Sequence, residues 1–195
     1  MNQPAYIEFA VQSNFSFLRG ASKPEEMIVT AALLGHAGMG LADRNTVAGV
    51  VRAWSQSKNI PLEKGAPPIV LPYHPGARLV FCDGTPDVLA YPRDRRGWGN
   101  LCRLLTQGNM REDSPKGDPQ LCKVDLMEWG DRMSLAVLPD PEAETGANLT
   151  LLEKLARRFG SAIRLAVSPA YSGNDRFRFE QAAALASATG MKLMA

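Results

Sequence analysis

The sequence is poor in the residues that build imidazole-rich metal centres. It has two histidines, His36 and His74, and three cysteines, Cys82, Cys102 and Cys122. Two imidazoles cannot supply a multinuclear site made mainly of His. The cysteines are odd in number and never form a C-x-x-C pair. That argues against a zinc ribbon or a disulfide framework and predicts reduced, mostly buried thiols. The first residues, Met1-Asn2-Gln3-Pro4-Ala5-Tyr6, lack the basic and then apolar pattern of a signal peptide. The most apolar stretch, Met27 to Ala42, is interrupted by His36 and three glycines and is too short to span a bilayer. A cytoplasmic location without a membrane partner is expected. No G-x-x-x-x-G-K-[ST] loop, G-x-S-x-G elbow or H-E-x-x-H pair occurs. Gly38-Met39-Gly40 lacks the third glycine of a dinucleotide loop and reads as a turn entering a strand. Net charge is small, +2 from 22 basic and 20 acidic residues, which excludes a strongly basic chain but not a local basic patch.

What is present describes a globular domain. Of 195 residues, 45% are hydrophobic and 22% charged, enough for a sizeable core and one domain over residues 1–195. Tyr6 to Val11 alternates as a strand. Ser22-Lys23-Pro24-Glu25 reads as a capping box, opening a helix through Met27, Ala31 and Leu34 that Gly35 ends. Met39 to Ala42 is a short strand, and Asn45 or Thr46 caps a helix through Val47, Val50, Val51 and Trp54, with Trp54 in the core. Ile69 to Leu71 is a further apolar run. Arg78 to Phe81 and Val88 to Tyr91, joined at Asp83-Gly84, read as a hairpin. Asp94 caps a helix through Trp98, Leu101 and Leu105, and residues 108–119 form a polar, mobile loop. Short helices and strands then alternate: helix at Val124 to Trp129, strand at Leu135 to Leu138, an acidic turn at Pro139 to Gly146, helix at Leu149 to Phe159, strand at Ile163 to Val167, helix at Phe177 to Thr189, and a strand opening at Lys192. Such alternation predicts an α/β fold with a mostly parallel sheet. In these folds function gathers at the carboxyl ends of strands, here after Val11 and at Asp43-Arg44-Asn45.

The stretches Asn14-Phe15-Ser16-Phe17-Leu18-Arg19-Gly20-Ala21-Ser22 and Leu41-Ala42-Asp43-Arg44-Asn45-Thr46-Val47-Ala48-Gly49-Val50-Val51-Arg52-Ala53 resemble the start of C-family bacterial DNA polymerases of the error-prone, polymerase III alpha-like kind. Leu89 to Arg95, Leu101 to Thr106 and Arg176 to Ala188 are similar too. The resemblance implies an N-terminal polymerase-and-histidinol-phosphatase (PHP) domain. Its fold would be a distorted, TIM-like, seven-stranded β/α barrel, incomplete because the chain ends before the last strands. It also implies a larger parent that copies damaged DNA, with the rest of the polymerase chain, DNA and other replication or mutagenesis proteins as partners. Magnesium would belong to polymerase regions outside these residues, with no cofactor in this chain.

The resemblance also implies a metal site, and the residues depart from it. The His-x-His pair of active PHP members falls on Ala10 and Gln12, the Asp-His-Gly motif on Asp43-Arg44-Asn45, and a ligand Glu on Arg78. Alanine has no donor atom and a guanidinium has neither a lone pair to give nor the right charge. No bound metal and no catalytic residue is expected, these five positions being vestigial. Two readings of Asp43 stand: Arg44 or Arg78 pairs with it in place of the metal, or it caps the following helix. The alternative function is a metal-dependent phosphoesterase or 3′ exonuclease on an altered set, Glu8, Asp43, His74 and Cys82. His36 reads as a surface or capping residue, and His74 as lying in a proline-flanked loop. Arg93, Arg95, Arg96, Arg103 and Arg111, with Tyr91 and Trp98 beside them, are either a solvated helix face over a core Trp98 or a contact with DNA or another domain. Trp129 is expected in the core.

Overall fold

The computed structural model describes residues 5–61, 67–112, 114–115, 117–139 and 145–194. They divide into two compact units, Met1–Arg78 and Leu79–Ala195.

In the first unit, β1 (Ile7–Val11), β2 (Gly38–Arg44) and β3 (Tyr73–Leu79) run parallel with β2 in the middle. Helices α1 (Pro24–Leu33) and α2 (Val50–Ser57) connect them. Gly38 through Asp43 are all buried, the continuous burial a central parallel strand requires. Ile28 and Ala31 of α1, Met39 and Leu41 of β2, Ala53 of α2, and Ile60 and Leu71 form the core. The glycine pair at Gly38 and Gly40 lies inside β2 and not in a turn before it. A Cβ on Gly38 would sit 3.0 Å from the Pro72 carbonyl oxygen, so glycine permits the close approach. The capping box is displaced by one residue. Lys23 is the N-cap and its N–H donates to Glu26 (2.8 Å), because the Ser22 carbonyl already accepts from Asn14 (2.9 Å) and Pro24 takes the first helical position. Gly35, with φ +72°, ends the helix region as expected.

α2 starts later than the sequence suggests. Asn45 is buried in the left-handed conformation (φ +49°), and Thr46 closes a turn onto the Ala48 N–H (3.2 Å). Val50, Ala53 and Ser57 therefore face inward, and Trp54 is 50% exposed, with the Lys58 ammonium 3.4 Å from its ring centre. Trp54 is not core. His74 is not in a loop: it pairs with Gly40 in β3 and its ring lies 5.4 Å from that of Phe9. His36 meets Tyr6 edge-on at 5.0 Å.

In the second unit, β4 (Val88–Pro92) pairs antiparallel with β5 (Met133–Val137), and β5, β6 (Ile163–Ala166) and β7 (Lys192–Met194) run parallel. Helices α3 (Arg95–Asn109), α4 (Lys123–Trp129), α5 (Thr145–Phe159) and α6 (Asp175–Thr189) accompany them. Asp94 caps α3 as expected, accepting from the Gly97 N–H at 2.9 Å. The Asp83-Gly84 turn forms, with Gly84 at φ +76°, while Phe81 bridges Leu121 in parallel. The strand read at Arg78 to Phe81 begins earlier, at Tyr73. Trp129 is half-buried, donating to Gln107 (2.8 Å) beneath the Arg103 guanidinium. Of the segment 108–119, residues 113 and 116 lie outside the described residues; so does most of the acidic turn at 139–146. Among the described residues no helix is long and apolar enough to cross a membrane.

Candidate functional site

The carboxyl ends of β1 and β2 meet at Asp43. This carboxylate is 1% exposed and Ser13 and Ser16 are fully buried beside it. Its Oδ1 accepts from the Ser13 backbone N–H (2.7 Å) and the Ser16 hydroxyl (2.7 Å), and its Oδ2 accepts from the Ser13 hydroxyl (2.8 Å). The Ser16 oxygen in turn accepts from the Arg44 N–H (3.0 Å), and the Ser13 oxygen from the Phe15 N–H (3.2 Å). The buried charge thus accepts three hydrogen bonds, which offset part of the cost of burying it.

The loop that brings the serines there is a tight one. The Ser16 N–H donates to the Ser13 carbonyl (2.9 Å), and Arg19 and Gly20 donate to the Ser16 carbonyl (2.9 and 3.0 Å). A Cβ on Gly20 would fall 2.1 Å from the Ser13 carbonyl oxygen, so only glycine closes this turn. Gly49 plays the matching part across the site, where a Cβ would lie 2.9 Å from Pro24 and 3.1 Å from both Asp43 Oδ2 and the Phe15 ring. At the loop tip Phe17 and Leu18 are exposed, and Leu18 has φ +59°.

Both readings of Asp43 drawn from the sequence leave out the two serines that hold it. Arg44 and Arg78 are register partners on β2 and β3, and neither is without a partner. Tyr73, at the start of β3, keeps its hydroxyl buried without a hydrogen-bond partner among the described residues. Burial, and secondarily the Asp43 charge, push its phenol well above the ordinary tyrosine range, so it is a neutral phenol.

These residues do not fit a divalent cation. Ala10 offers no atom, two of the remaining positions are cationic, and the one carboxylate has three of its lone-pair directions committed to Ser13 and Ser16. Nor does the first unit gather Glu8, Asp43 and His74 into a metal-binding group, and Cys82 belongs to the second unit. Glu8 is occupied by the Tyr6 hydroxyl (2.5 Å) and the Ala10 N–H (2.9 Å), and His74 lies against Phe9. Among the described residues no group of three or more His, Cys, Asp or Glu side chains is placed to hold a metal.

The five arginines separate. Arg111 grips Asp125, which is 1% exposed, through two bonds of 2.9 and 2.7 Å, and also donates to the Gln120 carbonyl. This ion pair holds the Arg111 guanidinium above its usual pKa. Arg103 lies over the Trp129 ring at 5.3 Å. Arg93, Arg95 and Arg96 remain together and exposed around the N-terminus of α3, while Asp94 between them is taken by Gly97 and Arg132.

Sequence reasoning missed Ser13 as a site residue and gave Ser16 only as part of a motif. Two serines three apart directly after a strand were the available signal.

Among curated proteins, the chain is 63% identical over 190 residues to an error-prone DNA polymerase of Mesorhizobium japonicum, covering 97% of this chain. It is 49% identical over 194 residues to an error-prone DNA polymerase of Sinorhizobium medicae, and 47% identical over 195 residues to error-prone DNA polymerase 1 of Rhizobium meliloti, covering 98% and 97% of this chain. In all three cases the match spans only 16% of the relative's length. No family model matches. Among solved structures, an amidohydrolase from Chromobacterium violaceum, with bound sulfate and no metal, superposes with TM-score 0.60 at 18% identity over 97% of this chain and 85% of that one. A protein from Bifidobacterium adolescentis named as a metal-dependent phosphoesterase gives 0.59 at 16% identity, covering 98% and 87%. These likenesses show the fold alone: an α/β architecture shared with those two proteins.

Proposed function

Since the chain is homologous along nearly its whole length to bacterial error-prone DNA polymerases, we propose that it is the catalytically degenerate PHP-like module of such an enzyme. In this reading its role is structural, supporting the polymerase that adds nucleotides opposite damaged template, with magnesium held by carboxylates outside these residues. The observation that carries the proposal is the closure of Asp43. Where a hydrolase of this fold would present an open carboxylate to a cation, this chain ties it to Ser13 and Ser16 and buries it. A scaffold needs that corner rigid; a hydrolase needs it vacant. The test is hydrolysis of a phosphomonoester and of a 3′-terminal nucleotide with zinc, manganese or magnesium supplied. No turnover is expected. Turnover that Asp43→Asn abolishes would establish the phosphoesterase reading in its place.

A second role rests on Arg93, Arg95 and Arg96. Their guanidinium groups have no hydrogen-bond or ion-pair partner among the described residues, and cations around a helix N-terminus oppose its dipole. An anionic partner would relieve that opposition, and the phosphate backbone of the DNA the parent copies fits.

A further inference from the structure

Cys82 and Cys122 lie forty residues apart in sequence, yet their sulfurs are 3.5 Å apart. The backbone holds them there. Phe81 and Leu121 form a parallel bridge, and the Cys82 N–H donates to the Leu121 carbonyl at 2.8 Å, so the two cysteines are the next facing pair. Facing residues on adjacent strands sit about 4.8 Å apart, within the Cα range a disulfide accepts. Asp83 fastens the same junction by accepting from the Lys123 N–H at 2.7 Å. The expectation of mostly buried thiols is corrected here, since Cys82 is exposed and Cys122 only partly buried.

We propose that Cys82 and Cys122 form a reversible oxidation site, closing to an intramolecular disulfide when the chain meets a hydroperoxide. The Cys82 thiolate, the exposed member, attacks the peroxide and becomes a sulfenic acid, releasing hydroxide. The Cys122 sulfur then attacks the Cys82 sulfur, the S–S bond forms and a second hydroxide leaves. Two thiols and one hydrogen peroxide give one disulfide and two waters, and the two electrons come from the two sulfurs. The setting suits the chemistry. The charge of the Arg111 guanidinium favours the thiolate form of Cys122, and that guanidinium is locked in place by Asp125. The Cys122 thiol is raised above its ordinary pKa, chiefly by its hydrogen bond to Cys82 and then by burial. Cys102 stands apart on α3, its thiol raised by burial, and serves as the internal control.

The experiment treats the reduced chain with one equivalent of hydrogen peroxide, blocks remaining thiols with N-ethylmaleimide, and maps peptides without reduction. The expected result is loss of two thiols of three, a cross-linked peptide joining Cys82 to Cys122 and full recovery with dithiothreitol, with loss of both remaining thiols and the same cross-link in Cys102→Ser. Cys82→Ser and Cys122→Ser should each abolish the cross-link. Retention of all three thiols, irreversible oxidation of Cys82 alone, or a cross-link through Cys102 would overturn the proposal.

Discussion

Replacing Asp43 by asparagine probes the buried knot directly. The side chain keeps its shape but loses its charge, and an amide nitrogen takes the place of one oxygen. If the remaining oxygen stays at Oδ1, the Ser13 N–H and Ser16 hydroxyl keep a neutral acceptor. The nitrogen then faces the Ser13 hydroxyl, whose oxygen already accepts from Phe15. Hydrogen bonds to a charged group contribute about 1.5–3 kcal/mol each and neutral ones about 0.5–1.5. Three charge-assisted bonds become two neutral ones and a strained third. Relief from burying the charge offsets part of that loss, leaving a destabilisation of about 2–3 kcal/mol. At this chain length that lowers Tm by roughly 5–10 °C. Ser16→Ala should cost about 1–2 kcal/mol, and the double variant should show a coupling of about 1 kcal/mol, since both act on one network. Urea denaturation of the four proteins measures all three quantities. An Asp43→Asn protein as stable as the parent, or more so, would refute the claim that the serines hold this carboxylate as a structural anion.

Other consequences follow from the same geometry. Arg111→Ala leaves Asp125 buried and unpaired and should cost about 3–5 kcal/mol in chemical denaturation. Gly20→Ala forces a methyl group against the Ser13 carbonyl and should cost about 1–3 kcal/mol, whereas Gly84→Ala, with open space around it, should show only its backbone strain. Asp94, through the Gly97 N–H and then Arg132, and Asp131, through Arg158, titrate below the ordinary carboxylate range in the folded chain. Their contribution is complete above about pH 3.9 and disappears as pH falls through the lowered folded values. The Asp94→Asn/Asp131→Asn protein should therefore lose less stability on acidification than the parent, read from denaturation midpoints between about pH 5 and 2. If Arg93, Arg95 and Arg96 each meet a phosphate of single-stranded DNA, log affinity should fall against log salt with a slope of about −2, and reversing the three charges should remove it. Binding without salt dependence would dismiss that contact.

Local signals in the sequence translated well into structure. The alternation of Tyr6 to Val11 and the cap at Asp94 depend on neighbours in sequence, and both reappear as β1 and the start of α3. The strand-end location of Asp43 was legible for the same reason. What failed depends on tertiary context. Asn45 in the left-handed region delays α2 and turns Trp54 outward, although its side chain matched an apolar stripe. Tyr73 to Leu79 became a strand despite Pro75, because pairing with β2 outweighs propensity there. The bonds between Ser13 and Asp43, Arg111 and Asp125, and Cys82 and Cys122 join residues 30, 14 and 40 apart, which no window-based pattern reveals.

Asp43 at the strand ends is held as a closed, hydrogen-bonded anion, an arrangement that does not fit a cation. Calorimetric titration of the metal-stripped chain with manganese and zinc, alongside Asp43→Asn, tests it most directly. The account predicts no saturable binding that depends on Asp43 and no metal-induced rise in Tm. Stoichiometric binding that raises Tm and disappears in Asp43→Asn would contradict it.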